Sequence, residues 1–173
     1  MSEPADTDEL FAVYVARFSA ERVHRVGIPH FAGRPGHHYF VGRRPSNAEL
    51  ARMSQHSGNA EVALIRINRT HIVNVGNQGI ANAALFVPPR QDGVESFEWI
   101  AHTHPLEMES EYEHVSHGGT RADFDALERI HRIWGQRATV VVVCRRGRVV
   151  SVVTIRPEPP ERPDIHVVTP GDG

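Results

Sequence analysis

The chain has no lysine. All 19 of its basic side chains are arginine, set against 21 acidic ones, for a formal net charge of -2. With no basic excess to neutralise phosphates, no nucleic-acid partner is expected. Cysteine is nearly absent as well. A single Cys144 cannot form an internal disulfide, and a reducing cytoplasm is the expected setting. Cys144 follows Val140-Val141-Val142-Val143 and reads as a small core residue on a buried strand, not as a nucleophile. No apolar run approaches the roughly 20 residues of a membrane span, so no membrane role is expected. The opening residues, 1–9, are acidic and lack the basic-then-apolar pattern of a signal peptide.

What is present suffices for one domain: 173 residues can bury a sizeable core. Residues 1–9 read as a frayed leader. The folded domain is expected over 10–156, with 10–45 as an N-terminal extension, and 157–173 as a tail whose prolines keep it from packing. Over 10–26, Phe11, Val13, Val15, Phe18 and Val23 follow no single period. A strand running into a helix is one reading, and the order stays open. Residues 27–44, rich in Gly, Pro and His, read as loop with one short strand at 38–41. Ser46-Asn47-Ala48-Glu49 is a capping box that predicts a helix over 47–55, with Leu50 and Met53 turned inward and Ser57-Gly58-Asn59 ending it.

Strands are expected over 61–68, 71–74, 83–87 and 97–104, with a polar turn at 88–93. Residues 106–119 are acidic and without period, which predicts an irregular loop. A helix opens at Thr120, places Phe124, Leu127, Ile130 and Trp134 on one face, and stops at Gly135. Residues 138–144 and 149–155 form a hairpin. This order of elements predicts an α/β or α+β fold, a mixed β-sheet with flanking helices.

The informative segment is Trp99-Ile100-Ala101-His102-Thr103-His104-Pro105. Side chains alternate across a strand, so His102 and His104 share a face and can share one metal ion. Pro105 puts the pair at the strand's end, where open α/β sheets place their sites. Zinc suits imidazole and carboxylate donors, and a catalytic zinc keeps three protein ligands and one open position. The expected third ligand is Asp123, in the first turn of the next helix. By itself, Asp123 would read as an acid that complements the helix dipole. Glu111, Glu113, His114 and His117 in the preceding loop are the alternatives. Trp99 and Trp134 read as core aromatics.

These residues resemble those of the JAMM (MPN+/JAB) zinc metalloprotease family, in its single-domain bacterial form. His102-Thr103-His104-Pro105 matches the family's His-x-His-Pro, and Thr120-Arg121-Ala122-Asp123 is similar to its Ser-x-x-Asp at the start of a helix. Glu61, opening a strand just after a helix, fits the slot of the family's glutamate. The resemblance spans about 47–155. It departs from the family in having Thr120 for the usual serine and a longer interval between His104 and Asp123, read as a loop insertion.

The resemblance implies an MPN architecture, like that of cytidine deaminases, and Zn2+ held by His102, His104 and Asp123. It further implies Glu61 as the catalytic proton acceptor and Thr120 as an oxyanion-binding hydroxyl. The implied reaction is hydrolysis of a peptide or isopeptide bond in a protein or peptide substrate, for which the C-terminal tail of a ubiquitin-like protein is a candidate. A chain without lysine would present no side-chain amine to such a conjugation pathway. Two other classes stay open: a non-catalytic scaffold of the same fold, and a zinc hydrolase of a small molecule.

Overall fold

A computed structural model of the chain describes residues 6–76, 85–107 and 121–157. Helix α1 runs Thr7–Phe18, and Asp6 caps it by accepting from the Glu9 N–H at 2.8 Å. Leu10 and Tyr14, one helical turn apart, are its buried residues. Strand β1, Val23–Val26, follows, so within 10–26 helix precedes strand. The expected leader is shorter than nine residues, because Thr7, Asp8 and Glu9 already belong to α1.

Strand β2 is His38–Val41, as the sequence suggested. Helix α2 is Asn47–His56, and both hydrogen bonds of the Ser46–Glu49 capping box are present. Strands β3, Val62–Ile67, and β4, Thr70–Val75, form a hairpin whose turn places Asn68 at φ 53°. Asn68 then accepts from the Glu95 and Ser96 N–H groups, tying the hairpin to the approach of strand β5, Phe97–Pro105. Of the strand expected over 83–87, residues 83 and 84 lie outside the described residues, and 85–87 are irregular. Pro88 and Pro89 follow and lack ladder N–H groups, while Leu85 packs into the core from coil.

Helix α3, Arg121–Trp134, ends where Gly135 takes φ 74°. Strands β6, Thr139–Arg145, and β7, Arg148–Ile155, are joined by Arg146 and Gly147, both at positive φ, the pairing a two-residue type I′ hairpin requires.

The seven strands make one mixed sheet in the order β1-β2-β4-β3-β5-β6-β7. The pairs β1–β2 and β5–β6 are parallel and the rest antiparallel. Helices α1 and α3 cover one face, with Leu10, Tyr14, Leu127 and Ile130 against Phe40, Ile65, Ile72, Phe97 and Trp99. Helix α2 covers the other, with Leu50 and Met53 against Leu64, Val73, Ile100 and Val142. Each such side chain taken from water contributes roughly 1.5–3 kcal/mol. This is an α+β fold, and the N-terminal segment belongs to it, since β1 and β2 extend the sheet and α1 closes one end of the core. No described helix is long and apolar enough to cross a membrane.

One irregularity decides which face the two histidines of β5 share. Against β3, strand β5 carries an extra residue: Leu64 pairs with Ala101 but Ile65 with Trp99, which makes Ile100 a bulge. Phe97 and Trp99 face α3 before the bulge, while Ile100 and Ala101 both pack on the α2 side. The alternation resumes one residue out of phase, and His102 and His104 therefore return to the α3 side.

Candidate metal centre

The parallel pair β5–β6 is connected through α3, so the end of β5 and the start of α3 meet at one end of the sheet's strands. His102 and His104 come from the former and Asp123 from the latter. All three are buried, at 0%, 2% and 3% exposure. His102 Nε2 and His104 Nε2 are 3.0 Å apart. Asp123 spans the two, with Oδ1 3.2 Å from His102 Nε2 and Oδ2 3.3 Å from His104 Nε2.

The donor chemistry fits a cation. An imidazole nitrogen carries at most one hydrogen, and a hydrogen aimed from one ring at the other cannot also serve the carboxylate. Two ring nitrogens and two carboxylate oxygens around one point thus offer more lone pairs than protons. Donors 2.0–2.1 Å from a tetrahedral centre lie about 3.3 Å from one another, close to the separations seen here. Burial lowers the His102 pKa; Asp123 opposes the shift and His104 adds to it. The ring is held in its neutral form, the form that ligates metals. Among the described residues, His102, His104 and Asp123 are a group able to hold a metal ion.

Glu61 precedes β3 and faces the same side, with Oε1 3.9 Å from His104 Nε2. Its neighbour Val62 donates its N–H to Thr103 Oγ1 at 3.0 Å, and Gly76 N–H donates to Glu61 O at 2.8 Å. The first bond fixes the start of β3 beside the end of β5, and the second ties it to the end of β4. Four of the residues singled out in the sequence, Glu61, His102, His104 and Asp123, are thereby gathered in one place. Thr120, and the alternative ligands Glu111, Glu113, His114 and His117, lie outside the described residues.

Four other histidines among the described residues bond elsewhere. His24 and His37 share a hydrogen bond of 2.8 Å, His38 bonds Asn74, and His131 Nδ1 donates to Gln136 O at 3.0 Å. Trp99 is a core residue, as expected, but it also stacks on the His102 ring with centroids 4.8 Å apart. Nothing in the sequence marked Thr103 or Gln136. Their contacts reach residues 41 and 37 positions away, beyond any local pattern.

Fold and site together define a mixed α/β domain with a buried His-His-Asp group at a strand-to-helix junction. Comparison with protein-family models, curated proteins and solved structures returned no match to the chain.

Proposed function

We propose that this protein is a zinc-dependent peptidase or isopeptidase of the JAMM type, acting on an extended protein or peptide segment such as the C-terminal tail of a ubiquitin-like protein. The observation that carries the reading is a second carboxylate. Three buried donors alone would equally suit a structural ion. Glu61, immediately before the neighbouring strand and 3.9 Å from His104, adds the acid–base group that hydrolysis needs.

In this reading His102, His104 and Asp123 hold the ion, and two nitrogens with a carboxylate suit zinc. When bound, zinc supplies Lewis-acid chemistry, acidifying water toward neutrality and polarising a carbonyl oxygen. Glu61 takes the proton released by the attacking water at a carboxylate oxygen and returns it to the departing amine nitrogen. Thr120 takes the family's place for a hydroxyl that donates to the oxyanion. The mixed sheet with helices on both faces and a site at the end of β5 is compatible with an MPN architecture, and the lone buried thiol of Cys144 with a reducing cytoplasm.

The test is a chelator-sensitive assay of zinc-reconstituted protein against a panel of peptide-linked and isopeptide-linked fusions. Cleavage that chelator stops and zinc restores supports the proposal. A zinc-loaded protein that cleaves none of the panel favours the scaffold or small-molecule alternatives.

A further inference from the structure

Along its β6 side, β5 has no strand partner before Ala101, where pairing with Val140 begins. Trp99 lies just before that point and just before the Ile100 bulge. Its backbone groups are satisfied by a side chain. The Trp99 N–H donates to Gln136 Oε1 at 2.8 Å, and Gln136 Nε2 donates to Trp99 O at 2.7 Å. A primary amide offers the same donor and acceptor as a peptide unit, so this reciprocal pair imitates the exchange between adjacent strands. Thr139 Oγ1 adds a second donor to Trp99 O at 2.7 Å. Gln136 is tethered in turn, its Nε2 donating to Ala138 O at 2.7 Å and its backbone carbonyl accepting from His131 Nδ1, in the last turn of α3, at 3.0 Å. One residue joins the strand bearing His102 and His104 to the helix bearing Asp123.

The joint reaches a ligand through Trp99. The indole lies against the His102 imidazole, with planes 24° apart. In most metal sites the second nitrogen of a ligating histidine is held by a hydrogen-bond acceptor. His102 Nδ1 is buried with no protein partner among the described residues. Stacking on Trp99 takes over the orienting of that ring. The bulge matters equally: with period-two alternation, removing the extra residue would turn His102 and His104 to the α2 face, away from Asp123.

We propose that Gln136 is a positioning residue of the metal centre: by standing in for a strand at Trp99 it fixes the Ile100 bulge and the His102 ring, and so holds both histidines on the side of Asp123. The proposal rests on the reading of His102, His104 and Asp123 as metal ligands.

The experiment compares the full chain with Gln136→Ala and with Gln136→Glu, which keeps the acceptor for Trp99 N–H and loses the donor to Trp99 O. Three readouts are taken: Zn2+ affinity by competition with a chromogenic chelator, the absorption spectrum of the Co2+-substituted protein, and thermal unfolding of the metal-free form. Gln136→Ala is expected to unfold cooperatively, to bind Zn2+ at least about tenfold more weakly, and to show a changed Co2+ spectrum. Gln136→Glu, which sets a carboxylate oxygen against the Trp99 and Ala138 carbonyls, should show the same changes. A purely structural glutamine would lower the unfolding temperature while the folded variants kept wild-type Zn2+ affinity and an unchanged Co2+ spectrum, and that outcome overturns the proposal. If Gln136→Ala does not fold, the near-isosteric Gln136→Glu decides by the same criteria. A wild type that binds neither ion overturns this proposal together with the metal reading, whereas a binding wild type with unaffected variants overturns this proposal alone.

Discussion

Replacing Asp123 by Asn separates a metal ligand from an ordinary helix-terminal acid. The carboxylate is 3% exposed and lies 3.2 and 3.3 Å from two ring nitrogens, one of which, on His102, is held neutral by burial. The desolvation of a buried carboxylate works against the metal-free fold. An isosteric, uncharged side chain should leave the metal-free protein as stable as before or slightly more so. Zinc reverses the comparison. At a free concentration a thousand times its dissociation constant, an ion that binds only the folded state adds about 4.1 kcal/mol. With unfolding entropy near 2.1 cal/mol/K per residue over the roughly 130 described residues, that raises the melting temperature by about 15 °C. If Asp123→Asn weakens binding a thousandfold, the same zinc adds only about 0.4 kcal/mol, a rise below about 2 °C. Melting curves of both proteins, with zinc buffered and with chelator, measure both effects. A full zinc-dependent rise in the variant, or a metal-free variant several degrees less stable, would show that Asp123 serves the helix and not an ion.

Three further outcomes are expected. Glu61→Gln should retain its zinc by elemental analysis while losing turnover by about 10² or more, the usual contribution of a general base; loss of the metal would make Glu61 a ligand instead. The Arg43 guanidinium, then the Ser46 N–H, lowers the Glu49 carboxyl from 4.5 to about 2. A lowered folded-state pKa contributes stability above the unfolded value and loses it on acidification. The stability difference between wild type and Glu49→Gln should therefore be full above pH 4.5 and close as the pH falls toward 2, as followed by denaturant titration; a difference independent of pH would contradict this. Burial pushes the Cys144 thiol up to about 11, so a thiol reagent at about pH 8 should label it only after denaturant is added, and rapid labelling of the native protein would place it at the surface.

Much of the architecture was legible because it is written in short-range patterns. The Ser46–Glu49 box set the start of α2, apolar spacing set the buried stripe of α3, and the stretch Arg145-Arg146-Gly147-Arg148 marked the β6–β7 turn. Each depends on neighbours within a few positions, where steric and hydrogen-bonding preferences act directly. The stretch over 10–26 was less readable, since α1 buries only Leu10 and Tyr14 and leaves Val13 exposed, which blurs its period. The strand expected over 83–87 failed at 85–87 because apolar residues can reach a core from coil when prolines deny them a ladder.

The sequence by itself determined the ligand types and their local geometry: two imidazoles two residues apart at a strand end, an acid in the first turn of the following helix, and a glutamate opening an earlier strand. Whether these converge was a tertiary matter. Plain alternation puts Phe97, Trp99, Ala101 and Thr103 on one face and the histidines on the other; only the extra residue at Ile100, present in the pairing with β3, brings Trp99, His102 and His104 to the same side. A register shift has no local signature, because it arises from the fit between strands far apart in the chain. For the same reason a glutamine in a short connection gave no hint that it would occupy the place of a missing strand.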